Sequence, residues 1–484
     1  MPGHKLGKGI PPELAQDLLQ LDVTEVEGTD NLHYPEGIIK EAQHQAAMAF
    51  GADETFFLVN GSTCGIQAAI MSVCARGQKI ILGRDSHRAV VSGLILSGAA
   101  PVFVYPEYNE EFAVTAEITP ESIEHALRSN PDAAAVLITR PNYYGICGDI
   151  EKISSLVHSY GRVLIVDEAH GAHLAFSPRL PDSAVKHGAD ICIQSAHKTL
   201  PAVTQGAYLH VKGGRIDVDR LRFNLSLLQT SSPSYIIMSY LDIARELMAS
   251  EGGERLEVLT DNLGRLVQEI EKCGVYKVLS HKYLGINTVH DPTRLVVNMG
   301  KLGISGYYAE KVLRDSFRIQ AEMADYENVV FITTVADNRE TLNRLLEAMK
   351  VLAEMEFPSG ARHSGRLLRE TIKNQYGRMA YNTAGEEAPE GPKGGRSAIA
   401  GNLEGIFPWE AYSAQREEAA LEESAGRICA ETVTPYPPGI PALYPGELID
   451  GARIKYISAI EAAGGTVNGM KNGRIRVVAR NDEK

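Results

Sequence analysis

From Glu36 to about Val211 short apolar runs alternate with amphipathic stretches, the pattern of an α/β unit with a central, mostly parallel sheet covered by helices. The runs predict strands at residues 56–59, 79–82, 102–105, 134–138, 163–166, 191–193 and 207–211. Between them the spacing predicts helices over 120–129, with Pro120 and Glu121 in the first turn, and over 150–160, where Asp149 can cap and Gly161 can stop the helix. A second α+β block at 251–355 carries helical patterns at 254–273 and 341–355 and strand-like runs at 293–298 and 328–333. Residues 382–400 mix Gly and Pro with acidic and small residues and read as a flexible connection. A third unit follows: a helix around 409–425, a proline-rich turn at 436–445, a helix near 449–463 and a basic strand at 474–480. The first 30 residues fit neither period and read as an arm that leans on another element. The expected division is therefore an arm at 1–30, a large domain at 31–250, a smaller α+β domain at 251–360, a linker at 361–400 and a C-terminal α+β domain at 401–484.

Composition narrows the class. A chain of 484 residues exceeds one ordinary core, so two or three domains are expected. The net charge of −13 disfavours a nucleic-acid partner and suits a small cationic substrate. Six scattered cysteines, with no CxxC pair and no zinc-ligand spacing, read as reduced thiols. No apolar run approaches the roughly 18 residues that span a bilayer, and the N-terminal stretch lacks a signal-peptide apolar core. The expectation is a cytoplasmic protein with no membrane partner.

The chemistry concentrates where predicted strands end. Asp167 closes one strand, and Ser195-Ala196-His197-Lys198 follows another, with the lysine 31 residues after the aspartate. Ligands bind at such carboxyl ends in open α/β sheets. A lysine and a carboxylate are what pyridoxal 5'-phosphate needs: the amine bonds the cofactor's aldehyde, and the carboxylate keeps the pyridine nitrogen protonated so that the ring accepts electrons. Asn60-Gly61-Ser62-Thr63-Cys64-Gly65 follows a third strand and opens a helix, a fit site for the cofactor phosphate. His87, just after a fourth strand, could stack on the cofactor ring. Each piece alone has a plainer reading as a helix cap, a surface histidine or a loop carboxylate; four of them after strands in one segment do not.

Two other readings fail on missing parts. Asp167-Glu168-Ala169-His170 spells a helicase signature, but no GxxxxGK[ST] loop lies upstream. Asp167, Glu168, His170 and His173 could ligate a metal, but no further ligand motif accompanies them, so no metal is expected.

On these residues the sequence resembles the ornithine/lysine/arginine decarboxylases of the aspartate-aminotransferase-like, PLP-dependent transferase fold, in the short form without an N-terminal wing domain. The likeness runs from Pro2-Gly3-His4-Lys5 through Asn60-Gly61-Ser62-Thr63, Asp167-Glu168-Ala169-His170-Gly171-Ala172-His173 and Ser195-Ala196-His197-Lys198 to Tyr436-Pro437-Pro438-Gly439-Ile440-Pro441. It is strongest to the short bacterial arginine decarboxylases. In the family a helix usually precedes the PGHK element, where this sequence begins, and long-form members carry an aromatic residue at the position of His170.

The resemblance implies that Lys198 is the Schiff-base lysine and that Asp167, with Ala169 beside it, meets the pyridine ring. It implies that Ser62, Thr63 and Ser195 hold the phosphate, that His87 stacks on the ring, and that His197 flanks the lysine on the substrate side. Thr230 would reach the phosphate of a neighbouring subunit, which implies a homodimer or higher homo-oligomer with shared active sites. The implied reaction is α-decarboxylation of a basic L-amino acid: arginine first, giving agmatine for polyamine synthesis, then lysine or ornithine. His197 or the released Lys198 would return the proton. Glu447, after the proline turn, is the candidate partner for the substrate's distal cation, against a plainer reading as a helix N-terminal charge. The rivals are an aminotransferase or another PLP enzyme on this fold, and a regulatory subunit that kept the fold and lost catalysis. Retention of Lys198, Asp167 and His87 argues against the regulatory subunit.

Overall fold

The seven predicted runs pair into one sheet, each within two residues of its expected bounds: β1 (Glu54–Leu58), β2 (Lys79–Gly83), β3 (Ala100–Val104), β4 (Ala135–Thr139), β5 (Val163–Asp167), β6 (Ile191–Gln194) and β7 (Ala207–Val211). This computed structural model describes residues 1–16, 18–357, 405–436 and 439–480. The expected linker at 361–400, and Pro437 and Pro438 of the proline turn, lie outside the described residues. The strand order is β1-β7-β6-β5-β4-β2-β3. β7 runs antiparallel to both neighbours, and the other four pairings are parallel.

Continuous apolar strands arise because both faces are covered. The pleat sends alternate residues to opposite sides: Ile80, Leu82 and Ile165 pack beneath α1 (Gly61–Val73), α2 (Arg88–Ser97) and α5 (Val218–Leu228). Ile81, Leu164 and Val166 pack beneath α3 (Pro120–Ser129) and α4 (Ile150–Ser159). Thr119 caps α3 by accepting from the Ser122 N–H at 3.2 Å, and Asp149 caps α4 from the Lys152 N–H at 3.0 Å.

The second block is a four-stranded antiparallel sheet, β8 (Lys277–Val278), β9 (Arg294–Asn298), β10 (Met323–Ala324) and β11 (Asn328–Ile332), in the order β8-β9-β11-β10. Its helices are α6 (Gly253–Lys272), α7 (Gly306–Phe317) and α8 (Arg339–Glu354). In α6 the buried residues Leu256, Leu259, Leu263, Leu266 and Ile270 recur three and four apart, the stripe that fixes which face turns inward. They share a core with Leu345, Met349 and Leu352 of α8. Each such burial contributes about 1.5–3 kcal/mol.

The C-terminal unit differs from expectation at its start. The helix expected over 409–425 spans only Pro408–Ser413 (α9), after which Arg416–Ala420 is a strand, β12. β12 pairs antiparallel with β13 (Arg474–Val478). Arg-Glu-Glu-Ala-Ala favours a helix locally, but ladder bonds to β13 and ion pairs from Arg416 to Glu431 and from Arg427 to Glu417 hold it extended. The following helix, α10 (Gly451–Ala462), is capped by Asp450, which accepts from the Arg453 N–H at 2.7 Å.

The N-terminal arm leans on the second block. Lys5 Nζ donates to the Ile332 carbonyl at 2.8 Å and pairs with Asp337 at 3.1 Å, and Thr334 Oγ1 donates to the Pro2 carbonyl at 3.1 Å. Gly3 lies against the carbonyls of His197 and Leu200. The arm thus touches the segment that carries Lys198.

Candidate active site

The parallel strands release their carboxyl ends along one edge. After β1, Gly61 takes φ +75°, a conformation that costs a glycine little, and turns the chain into α1. Asn60 stands at the N-cap but makes no side-chain cap bond, so the first turn of α1 presents its N–H groups without that competitor. Ser195, fully buried after β6, donates to Ser62 Oγ at 2.8 Å. Two hydroxyls distant in sequence thus meet at one helix N-terminus, with Thr63 exposed beside them.

Asp167 ends β5, buried, with one carboxylate oxygen accepting the Ala169 N–H at 3.1 Å. Burial pushes its pKa above the usual carboxylate value, and the charge of Lys198 opposes that shift. Lys198 lies in the short helix Ala196–Thr199. Burial pulls the pKa of its amine below the ordinary lysine value, while the charges of Asp167 and Glu322 act in the opposite direction. Lys198 Nζ is 3.1 Å from His170 Nε2, and Arg294 Nη2 is 2.5 Å from His170 Nδ1. The Tyr143 ring meets the imidazole edge-on at 5.3 Å.

Two more histidines flank the lysine. His87 caps α2, its Nδ1 accepting the Ala89 N–H at 3.2 Å, so Nε2 carries the proton of the neutral ring. Burial, then the charges of Lys198 and Arg88, push its pKa down to about 3. His197 Nδ1 donates to the Gly206 carbonyl at 2.9 Å. Burial pulls its pKa down to about 4, leaving Nε2 with a bare lone pair. In this state Nε2 can accept a hydrogen bond and carries no proton to give.

Asp85, Ser86, Asp291 and Arg294, which sequence reasoning missed, border the site, as do Glu168 and His173, which it weighed only as metal ligands. Asp85 is buried near Asp167; burial, with that neighbouring carboxylate adding to it, lifts its pKa to about 7. Asp85 Oδ1 and Ser86 Oγ are buried without a hydrogen-bond partner among the described residues. Glu168 is anchored rather than catalytic: it accepts from Ser183 Oγ at 2.6 Å, Gln194 Nε2 at 2.7 Å and the Ala184 N–H at 2.8 Å. His173 meets Asp291 at 3.0 Å and Thr293 at 3.0 Å. The segment Asp291-Pro292-Thr293-Arg294 therefore holds both histidines of the loop after β5. Among the described residues no three His, Cys, Asp or Glu side chains gather as metal ligands.

Glu447 is placed differently from the expectation that it meets substrate. It is buried, and its Oε2 accepts from Arg84 Nη2 at 3.0 Å and from the Tyr444 N–H at 2.8 Å. Arg84 also donates to the carbonyls of Pro441 at 2.6 Å and Ala442 at 3.0 Å. The carboxylate thus fastens the C-terminal unit to the end of β2, because the chain after Pro445-Gly446 turns inward. Thr230 is exposed, with its carbonyl 2.9 Å from His33 Nε2.

A mostly parallel sheet that brings a lysine, a carboxylate and a hydroxyl-lined helix N-terminus to one edge defines the aspartate-aminotransferase-like class of fold. The Orn/Lys/Arg decarboxylase major-domain model matches residues 1–272, and the Orn/Lys/Arg decarboxylase C-terminal-domain model matches 409–480. The chain belongs to the Orn/Lys/Arg decarboxylase family, and that membership makes it a decarboxylase. It is 37% identical over 488 residues to the arginine decarboxylase of Bacillus subtilis, across 99% of this chain and 93% of that protein. It is 36% identical over 481 residues to that of Bacillus anthracis, across 98% and 91%. The solved lysine decarboxylase LdcF of Francisella novicida superposes with a TM-score of 0.78 at 19% identity, across 99% of this chain and 78% of that one. No described helix is long and apolar enough to cross a membrane.

Proposed function

We propose that this protein decarboxylates L-arginine to agmatine and carbon dioxide, with pyridoxal 5'-phosphate carried on Lys198, as a cytoplasmic homodimer that supplies polyamine synthesis. The observation that carries this reading is Lys198, part-buried and flanked by His170, His87 and His197, with Asp167 at the neighbouring strand end. The arginine decarboxylases align with the chain over nearly its whole length.

The residues present fit the cofactor. The uncapped N-terminus of α1 and the joined hydroxyls of Ser62 and Ser195, with Thr63, suit a phosphate. Asp167 has the position and charge to hold a proton on a ring nitrogen, with Ala169 fixing its carboxylate. The flat, neutral imidazole of His87 suits a ring face. When bound, the cofactor accepts the electron pair left as the carbon–carboxylate bond breaks. The remaining work falls to the chain: Lys198 would hold the cofactor, release it to the substrate amine, and return a proton to the α-carbon. Of the two candidate donors Lys198 is favoured, because the resting His197 has its proton bound to Gly206 and its other nitrogen bare. The exposed hydroxyl of Thr230 suits a contact with the phosphate of a second copy. The six cysteines are free thiols, which suits a reducing compartment.

Incubation with L-arginine, L-lysine and L-ornithine in turn, reading released carbon dioxide and amine, tests the substrate. Turnover of arginine is expected to exceed the other two, and Lys198→Ala should lose both turnover and the visible band of the lysine-bound cofactor. Faster release from lysine or ornithine, or full activity in Lys198→Ala, refutes the reading.

A further inference from the structure

The hydrogen-bond chain Arg294–His170–Lys198 can run in one direction only. A guanidinium has donors and no acceptor. Arg294 Nη2, at 2.5 Å, must therefore donate to His170 Nδ1, so that nitrogen presents a lone pair. In a neutral imidazole the proton then sits on Nε2, which faces Lys198 Nζ at 3.1 Å. An N–H pointing at an amine needs a lone pair to receive it, and an ammonium has none. Arg294 is among the largest fully buried side chains and His170 is 4% exposed, while Lys198 is part-buried, so the imidazole N–H has little access to water and its partner is the amine.

We propose that Arg294 is a positioning residue that, through His170, holds Lys198 as a neutral amine, whose lone pair accepts from His170 Nε2–H and leaves that hydrogen bond to bond the cofactor's aldehyde. The inference rests on Lys198 being the cofactor lysine. Arg294 excludes both the Nδ1–H tautomer and the imidazolium of His170, since each would set an N–H against the guanidinium. Because Arg294 opens β9 of the second domain and Lys198 follows β6 of the first, the state of the amine depends on the docking of the two domains. The adjacent His173–Asp291 pair, at 3.0 Å, holds the same loop in register.

Other charges also face the amine. Asp167 and Glu322 favour the ammonium, Arg294 opposes it by its charge alone, and His87 and His197 are neutral neighbours. The test must therefore separate donor direction from charge. Competitive labelling of the full-length, cofactor-free chain with acetic anhydride across pH, read by mass spectrometry at Lys198, gives the midpoint at which the amine becomes neutral. The wild-type midpoint is expected well below that of surface lysines in the same digest. His170→Phe keeps the Arg294 charge and removes the N–H donor, and should raise the midpoint by about one pH unit or more, a tenfold fall in neutral amine at a given pH below it. His170→Gln can accept from Arg294 and donate to Lys198 through one amide, and should keep the low midpoint; Arg294→Lys should do the same. A wild-type midpoint equal to that of surface lysines overturns the proposal even if no variant folds. So does an unchanged midpoint in folded His170→Phe. Neither result depends on which amino acid the enzyme decarboxylates.

Discussion

Removing the Glu447 carboxylate should loosen the C-terminal unit before it touches substrate binding. Arg84 and Glu447 form an ion pair at 3.0 Å with side chains 4% and 5% exposed, and the same carboxylate oxygen accepts the Tyr444 N–H. Glu447→Ala takes this carboxylate from the Arg84 guanidinium, which still faces Tyr444 and two carbonyls. Stranding one member of a buried pair costs about 3–5 kcal/mol. Glu447→Gln keeps an acceptor oxygen and loses only the charge, so about 1.5–3 kcal/mol is expected, the worth of a charged hydrogen bond. Replacing both partners by apolar residues, as in Arg84→Met with Glu447→Leu, should recover much of the loss, because no buried charge is left alone.

Amide hydrogen exchange at Ala442 and Leu443 gives the local readout, since both N–H groups donate to the Val433 carbonyl and not to the Glu447 carboxylate. A local loss of 3 kcal/mol corresponds to roughly 100-fold faster exchange if the unit opens as one piece. Unchanged exchange in Glu447→Ala, together with a raised KM for arginine, would refute the reasoning and return the carboxylate to the substrate. A raised KM accompanied by fast exchange would not, because the same turn brings Gly439 to the edge of the His87 ring.

Four further outcomes follow from the site. Lys198→Ala should reduce decarboxylation on the order of 10^3-fold or more, measured as carbon dioxide released under saturating cofactor; a smaller fall would mean another group carries the cofactor. Ser195→Ala should weaken retention of pyridoxal 5'-phosphate by about 10- to 100-fold, read by equilibrium dialysis, if its hydroxyl meets the phosphate directly. Gly3→Ala would drive a methyl into the Leu200 carbonyl, with the His197 carbonyl 2.8 Å away; it should lower kcat and expose the arm to limited proteolysis, at a cost of about 1–3 kcal/mol. Asp85 has a pKa of about 7 in the folded, cofactor-free chain against 3.8 as the ordinary value. Its contribution is present below pH 4 and fades as pH rises to about 7, with a slope of at most about 1.4 kcal/mol per unit. Asp85→Asn should lack that slope in urea unfolding, and parallel curves for the two proteins would overturn the assignment.

What was legible in the sequence follows from the range over which each signal acts. The strands were found because a covered parallel sheet demands uninterrupted apolar runs, and Ile80-Ile81-Leu82 and Leu164-Ile165-Val166 meet that demand within a few residues. Ser62, Asp167, Ser195 and Lys198 were singled out for a related reason: each ends a strand or follows one within a few residues, and the fold brings those strand ends to one edge. The residues that tune the site gave no comparable signal. Arg294 stands 124 positions from His170 and Arg84 363 positions from Glu447. A lone arginine at either end of a strand reads as solvent-facing until its partner is known, and Glu447 after Pro-Gly was expected to meet the substrate's distal cation. The stretch 409–425 failed in the opposite way, since its helical preference was real but weaker than a ladder formed with residues 474–478. Arg84 and Arg294 belong to one physical class: buried charges, which a distant partner must satisfy with an opposite charge or an acceptor. Such pairs join the C-terminal unit to the end of β2 and the second block to the loop after β5. The environment of Lys198 is thus set by contacts from the second sheet, although the lysine itself is announced by its own segment.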